Sequence, residues 1–328
     1  MDVKGRRVLV VGMGRSGLSA ARWLAREGAR VTMSEAKAEK ELDKTLVEDM
    51  QERGITVESG GHRQESFLSA DLIVPSPGVP LDMEPLQAAR KKGIPVVGEM
   101  GLAVQHVDAP IVAVTGTNGK STVTAFLGTM LKAGGSSVFV GGNIGTPLSD
   151  FVAEREHADV VVLEVSSFQL DTMEGFHPSI GLLLNISPDH LDRYPSYEAY
   201  VRSKLRIFED QRPGQVAILN DDDAVLSDFI PSEKGLVLRY GEEKGENRQA
   251  FVEGVRIIAA LPGDPAHAFS LERCALPGRH NRENLMAAVL TGLALKVEAR
   301  IIQETMDRFQ GLPHRLERVA RVGSVDFY

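Results

Sequence analysis

Short apolar runs alternate with longer amphipathic stretches along the first hundred residues. Arg7–Val11 (RVLVV) reads as a buried strand, and Gly17–Glu27 follows as a helix closed by Gly28. Val31–Ser34 is the next strand, Leu42–Arg53 a helix, and Leu72–Val74 a strand. Glu84–Lys92 then reads as a helix closed by Gly93, and Pro95–Gly98 as one more strand. Strands alternating with helices in this way predict βαβ units on a parallel sheet. Gln105–Pro110 is polar, ends in proline, and reads as a linker region. The pattern then restarts. Ile111–Thr115 is a strand leading into a glycine loop, and Ser121–Ala133 a helix stopped by Gly134-Gly135. Val160–Glu164, Gly181–Asn185 and Gln215–Asn220 follow as strands, with Tyr197–Glu209 and Arg282–Leu295 as helices. Phe251–Ala260 alternates only loosely. Val319–Tyr328 reads as the first strand of another domain cut short, so the chain is expected to end inside a longer protein.

Composition narrows the class. The 328 residues are 43% hydrophobic and 25% charged, values of an ordinary globular protein with room for two or three domains. A net charge of −8 argues against a nucleic-acid binder, which would carry a basic stripe, and provides no polybasic surface for an acidic membrane. Cys274 is the one cysteine, so no internal disulfide or cysteine zinc cluster can form; it reads as a small core hydrophobe. The N-terminus runs straight into a strand with no signal-peptide pattern, and no run of about 18 apolar residues exists. The expectation is a cytoplasmic protein.

Two glycine-rich turns carry the candidate chemistry. Gly116-Thr117-Asn118-Gly119-Lys120-Ser121-Thr122 sits between a strand and a helix, where glycines let backbone N–H groups approach phosphate oxygens. Val114 stands where the usual G-x-x-x-x-G-K-[ST] loop has its first glycine; that glycine falls instead at Gly116. Lys120 can neutralise phosphate, and the Ser121 hydroxyl can reach Mg²⁺. The loop therefore predicts binding of ATP or a close relative. Gly12-Met13-Gly14-Arg15-Ser16-Gly17 matches G-x-G-x-x-G directly after a strand, with Glu35 near the end of the next strand. Alone it suggests a nicotinamide dinucleotide, although the same turn suits any nucleotide diphosphate. Ser34 and Glu35 compete as the residue that faces the ribose or base. Glu164 ends a strand beside the phosphate loop and is placed to hold Mg²⁺. Asp189-His190 reads either as a metal or phosphate site or as a capped turn. Lys204 reads either as functional or as a solvated helix lysine.

These pieces in this order resemble the Mur ligases of peptidoglycan synthesis, and within them the branch that adds D-glutamate. The likeness rests on Gly12–Gly17, Ser76-Pro77-Gly78-Val79, Thr115–Thr122, Gly142-Asn143-Ile144-Gly145, Glu164–Leu170, Asn185–Tyr194, Lys204, His280-Asn281 with Asn284, and Gly311–Glu317. It implies a Rossmann-like UDP-sugar-binding domain over residues 1–98 and a central P-loop ATP-binding domain over 99–311. Residues 312–328 would form a hinge and the truncated start of a third domain. It implies contacts from Arg15, Ser16, Glu35, Ser76, Asn143, Ser166, Gln169 and His190 to the nucleotide sugar. Gly116, Thr117, Asn118, Gly119, Lys120, Ser121 and Thr122 would bind ATP, with Asn281, Asn284 and Arg315. Lys120, Glu164, His190 and Lys204 would be the catalytic set. Ser121, Glu164, His190 and a carbamylated Lys204 would hold two magnesium ions. The partners it implies are UDP-N-acetylmuramoyl-L-alanine and D-glutamate, bound by a monomer, with this length of chain impaired in turnover. One alternative is another Mur ligase, MurC-like; the rival from another class, a nicotinamide-dependent oxidoreductase, leaves the phosphate loop and Glu164 without a purpose.

Overall fold

The computed structural model describes residues 2–231, 234–312, 320–322 and 325–327. In chain order the first elements are β1 (Arg7–Val11), α1 (Arg15–Arg26), β2 (Arg30–Ser34), α2 (Lys44–Glu52), β3 (Thr56–Glu58), α3 (Gln64–Ser69), β4 (Leu72–Pro75), α4 (Glu84–Lys91) and α5 (Glu99–Ala103). There follow β5 (Ile111–Thr115), α6 (Lys120–Ala133), β6 (Val138–Gly142), α7 (Leu148–Glu154), β7 (Val160–Glu164), α8 (Ser167–Leu170), β8 (Ile180–Leu183), α9 (Tyr197–Leu205) and β9 (Val216–Asn220). The last are β10 (Leu236–Tyr240), β11 (Arg248–Glu253), β12 (Arg256–Ala259), β13 (His267–Ser270), α10 (Arg279–Ala294), α11 (Ala299–Arg308), β14 (Ala320–Val322) and β15 (Val325–Phe327).

Two compact units result. The first comprises residues 1–108, 141–156 and 167–176; the second holds the remainder. The first is built on a parallel sheet of order β3-β2-β1-β4. Its strands are short apolar runs because both faces are covered, as parallel sheets require. Leu9, Val11, Phe67, Ile73 and Leu86 form a core cluster on one face. On α1, buried Ala20, Trp23 and Leu24 recur at helical spacing, which explains why this stretch is a helix and which side it buries.

The second unit carries most of a nine-stranded sheet of order β13-β12-β11-β10-β9-β8-β5-β7-β6. Strands β7, β5, β8, β9, β10 and β11 run parallel, whereas β12 and β13 are antiparallel. Val112, Val114, Phe126, Met130, Leu290 and Ile302 join strands and helices into the main core. Each such side chain contributes about 1.5–3 kcal/mol relative to leaving it in water.

Several elements differ from the sequence expectation. Pro95–Gly98 is not a full strand; it makes a single parallel bridge between Ile73 and Val96. Phe251–Ala260 is two antiparallel strands turning at Gly254, whose φ of 61° a glycine accepts readily. The expected linker at Gln105–Pro110 begins inside a 3₁₀ turn, Val104–His106, that continues α5. The final segment pairs with itself, Ala320–Val322 against Val325–Phe327, rather than forming one unpaired strand. Cys274 is half-buried against the main core, and burial pushes its thiol up.

Candidate functional site

In the first unit, the strand order reverses between β1 and β4, which opens a crevice beyond their C-terminal ends. The glycine turn lies there. Gly14 precedes α1 in extended conformation and no side chain caps the helix, so its first N–H groups are open to an anion. Gly17 is required by close approach: a Cβ there would overlap the Gly12 carbonyl oxygen and lie 2.6 Å from Ser76 Oγ. Ser76 itself donates to that carbonyl at 3.2 Å, so it braces the turn. Arg15 donates from Nη1 to Gly145 O at 2.7 Å, linking the turn to the loop that carries Asn143. Ser16 sits in the first turn of α1, and Gln169 is buried in α8.

Glu35 has work within the fold. Its Oε2 accepts the Met13 N–H at 2.7 Å and its Oε1 accepts the Lys37 N–H at 3.1 Å. Ser34 is buried, its side chain bonded to His62 Nδ1 at 2.8 Å and its carbonyl accepting the Gly12 N–H at 2.8 Å, so Ser34 holds the turn through its backbone and Glu35 through its side chain. Burial would raise the Glu35 carboxyl, but the Met13 and Lys37 N–H groups and the Lys37 charge outweigh it and hold the group below its ordinary 4.5. A lowered folded value means stability present above the unfolded value and lost as pH falls through the folded one. Glu35→Gln, with one acceptor oxygen in place of two, should therefore lie below wild type in urea midpoint at pH 7. That gap should close on acidification below the ordinary glutamate range. A gap independent of pH would contradict this brace.

In the second unit the crevice lies where the chain crosses from β7 over β5 to β8. The phosphate loop follows β5 and starts α6 at Lys120. Gly119 has φ 87°, and a Cβ there would overlap Asn284 Oδ1, so both backbone and space demand glycine. Asn185, just beyond β8, holds the loop in three places. Its Oδ1 accepts the Asn118 N–H at 2.8 Å, its Nδ2 donates to Asn118 O at 3.1 Å, and its carbonyl accepts the Thr117 N–H at 2.9 Å. Lys120 Nζ donates to Gly116 O at 2.9 Å and Thr117 O at 2.8 Å. Beside the loop, Asn118, Gly119, Thr122, Asn185, His280, Asn281 and Asn284 help line a cavity of about 360 Å³. Asn281 and Asn284 are buried on α10, their side chains 3.4 Å apart.

Lys204 is not a solvated helix lysine. It is 2% exposed, its Nζ donates to Gly116 O at 2.8 Å, and it lies 4.7 Å from the centre of the Tyr200 ring. Glu164 is 1% exposed at the end of β7, in register with Val114, and Ser121 is buried in the first turn of α6. His190 is half exposed at φ 53°; its N–H donates to Asp189 Oδ1 at 2.9 Å, and its Nε2 lies 3.6 Å from Asp189 Oδ2. The His190 carbonyl accepts the Arg193 N–H at 2.9 Å, so His190 opens a turn. Ser166 follows β7 by two residues, and Arg315 and His314 lie outside the described residues. Among the described residues no group of three or more His, Cys, Asp and Glu could hold a metal ion. No helix among them is long and apolar enough to cross a membrane.

The Mur ligase middle domain model matches residues 114–292, and the Mur ligase MurD-like N-terminal domain model matches residues 6–98. The chain belongs to the Mur ligase family. It is 46% identical over 328 residues to the UDP-N-acetylmuramoylalanine–D-glutamate ligase of Desulfosudis oleivorans, covering 100% of this chain and 71% of that one. The enzyme of the same name from Koribacter versatilis is 43% identical, over 100% of this chain and 72% of its own. Among solved structures, a UDP-N-acetylmuramate:L-alanyl-γ-D-glutamyl-meso-diaminopimelate ligase from Neisseria meningitides has a TM-score of 0.62 at 19% identity. That match covers 94% of this chain and 99% of the other. A UDP-N-acetylmuramate–alanine ligase, MurC, from Thermotoga maritima has a TM-score of 0.56 at 21% identity, over 97% of this chain and 71% of its own. These structures share the fold.

Within this Mur ligase, three residues that sequence reasoning left without a role now have one. Asn185 clamps the phosphate loop, as described. Asp223 accepts the Ile186 N–H at 2.7 Å and so fixes the segment that follows Asn185. Tyr200 is 1% exposed; its hydroxyl lies 3.1 Å from Thr117 Oγ1, and burial pushes it up. The four-residue spacing from Tyr200 to Lys204 was the available signal, since such pairs meet on one helix face. Tyr200→Phe removes the loop bond but keeps the ring beneath Lys204. It should cost about 0.5–1.5 kcal/mol in urea unfolding, whereas Tyr200→Leu should cost more. Equal losses would show that the hydroxyl is idle.

Proposed function

We propose that this Mur ligase joins D-glutamate to UDP-N-acetylmuramoyl-L-alanine, consuming ATP and forming ADP and phosphate. The observation that carries the ATP-dependent part is the phosphate loop: clamped by Asn185, opening onto the uncapped start of α6, and bordering the cavity of about 360 Å³. Likeness along all of this chain, and 71–72% of theirs, to UDP-N-acetylmuramoylalanine–D-glutamate ligases supports the choice of substrates. A carboxylate resists attack by an amine because its charge repels the electron pair. Transfer of the γ-phosphoryl to the alanyl carboxylate oxygen gives an acyl phosphate and ADP. The D-glutamate nitrogen then attacks the acyl carbon, the amide bond forms, a proton leaves the nitrogen, and phosphate departs.

In this reading Gly116–Thr122 cradle the ATP phosphates, with Lys120 countering their charge, and Asn281 and Asn284 serve the nucleotide. The residues fit Mg²⁺. The Glu164 carboxylate beside the loop and the Ser121 hydroxyl within it are buried hard-oxygen donors and would hold the ion. Bound there, the ion supplies charge stabilisation for the transferring phosphoryl group. A second ion would take His190 and Lys204, the latter only if carbamylated, because an ammonium has no lone pair. Arg15, Ser16, Asn143, Ser166, Gln169 and His190 would contact the nucleotide sugar, and Glu35 and Ser76 would serve mainly by holding the glycine turn. Arg315 would join the ATP site. The chain acts as a monomer in the cytoplasm, where both nucleotides are available.

Thermal-shift titration separates the readings. UDP-N-acetylmuramoyl-L-alanine should raise the melting temperature and NADH should not. Stabilisation by NADH alone would support the oxidoreductase instead.

A further inference from the structure

The first unit contains a buried carboxylate that the proposed chemistry leaves unused. Glu99 opens α5, is 3% exposed, and its Oε1 accepts the Ser149 N–H at 2.7 Å. Ser149 lies in the first turn of α7, directly after the loop Gly142–Pro147 that presents Asn143. That loop is closed on itself by the Gly142 N–H donating to Thr146 O at 3.0 Å and is held by Arg15 at Gly145. Ser149 also meets Ser19 Oγ at 2.5 Å, and Ser19 donates to Asp150.

The neighbouring residues hold a second segment. The Gly98 N–H donates to Thr172 O at 3.1 Å. A Cβ on Gly98 would overlap Thr172 Oγ1, and one on Gly101 would lie 2.6 Å from Thr172 O. Thr172 is tied in turn to Gln169, whose carbonyl accepts the Thr172 hydroxyl at 3.0 Å. The stretch Gly98–Gly101 thus grips two chain segments, 141–156 and 167–176, which return to the first unit from far along the sequence. One carries Asn143 and the other Gln169.

We propose that Gly98–Gly101 is a docking hub for the nucleotide-sugar site and that Glu99 is its positioning residue, setting the Asn143 loop through Ser149. This rests on the substrate reading above. A buried acid is costly to keep unless its acceptor role is used, and burial, opposed by the Ser149 bonds, pushes this carboxyl up. The role needs an acceptor oxygen at the Glu99 position rather than a charge. A glutamine can supply it, and an alanine cannot.

The test is calorimetric binding of UDP-N-acetylmuramoyl-L-alanine and, separately, of Mg-ATP to the whole chain, well below each variant's melting temperature. Glu99→Ala should weaken the UDP-linked ligand tenfold or more and leave ATP within twofold, and Glu99→Gln should restore wild-type affinity. Gly101→Ala, which pushes on Thr172 with Glu99 intact, should also weaken the UDP-linked ligand alone. Wild-type affinity in both Glu99→Ala and Gly101→Ala, or equal loss of both ligands, overturns the hub. If Glu99→Ala does not fold, loss of affinity in Glu99→Gln equal to that in Gly101→Ala overturns the acceptor role. Failure of the unaltered chain to bind the UDP-linked ligand removes the substrate reading and this proposal with it.

Discussion

Lys120→Ala should weaken stabilisation of the chain by Mg-ATP while leaving stabilisation by UDP-N-acetylmuramoyl-L-alanine intact. The Lys120 ammonium donates at present to Gly116 O and Thr117 O, within the turn that would receive phosphate. Phosphate oxygens are stronger acceptors than peptide carbonyls, so ATP should draw the ammonium onto itself. Charge-assisted bonds of this kind are worth about 1.5–3 kcal/mol in binding. The charge developing in phosphoryl transfer raises the expected loss of turnover to about 10²–10³-fold. Part of the effect would come from the loop, because the Thr117 carbonyl loses this donor while the Gly116 carbonyl keeps Lys204. Calorimetric titration with ATP measures the binding loss, and release of phosphate measures the catalytic one. Unchanged ATP affinity would remove Lys120 from the site.

The complementary result is expected of Gly17→Ala. The new Cβ must displace the Gly12 carbonyl oxygen or the start of α1, and Ser76 crowds the same space at 2.6 Å. Forced overpacking of this kind costs about 1–3 kcal/mol. The strain falls on the glycine turn and on the Met13 N–H that Glu35 holds. Affinity for the UDP-linked ligand should therefore fall by roughly 5–150-fold, the binding equivalent of that energy, while ATP affinity stays at wild type. The melting temperature should drop as well. Wild-type binding of both ligands would mean that the turn does not serve the nucleotide sugar.

The two variants together form a double dissociation, one ligand weakened in each. A nicotinamide enzyme would not give that pattern, because its dinucleotide would depend on Gly17 and be indifferent to Lys120.

Much of the architecture was legible in the chain because strand and helix periodicity is local. β1, β5, β7 and β9 matched the apolar runs that named them, and the phosphate loop was readable from seven consecutive residues. Helix α11 escaped although buried Ile302, Thr305 and Met306 mark an amphipathic face at helical spacing. Strand β3, at three residues, is too short for an alternation to register.

By itself the sequence determined the α/β class, the two glycine turns and the kinds of residue at the strand ends. The tertiary structure decided what those residues touch. It made Glu35 a brace for the turn, buried Lys204 against the Gly116 carbonyl, and gave Asn185 the Asn118 backbone and Glu99 the Ser149 N–H. The last three of these partners lie 88, 67 and 50 residues apart. The physical reason is reach. Propensity and periodicity act over a few neighbouring residues, whereas a buried donor or acceptor is satisfied by whichever group the packed sheet brings beside it.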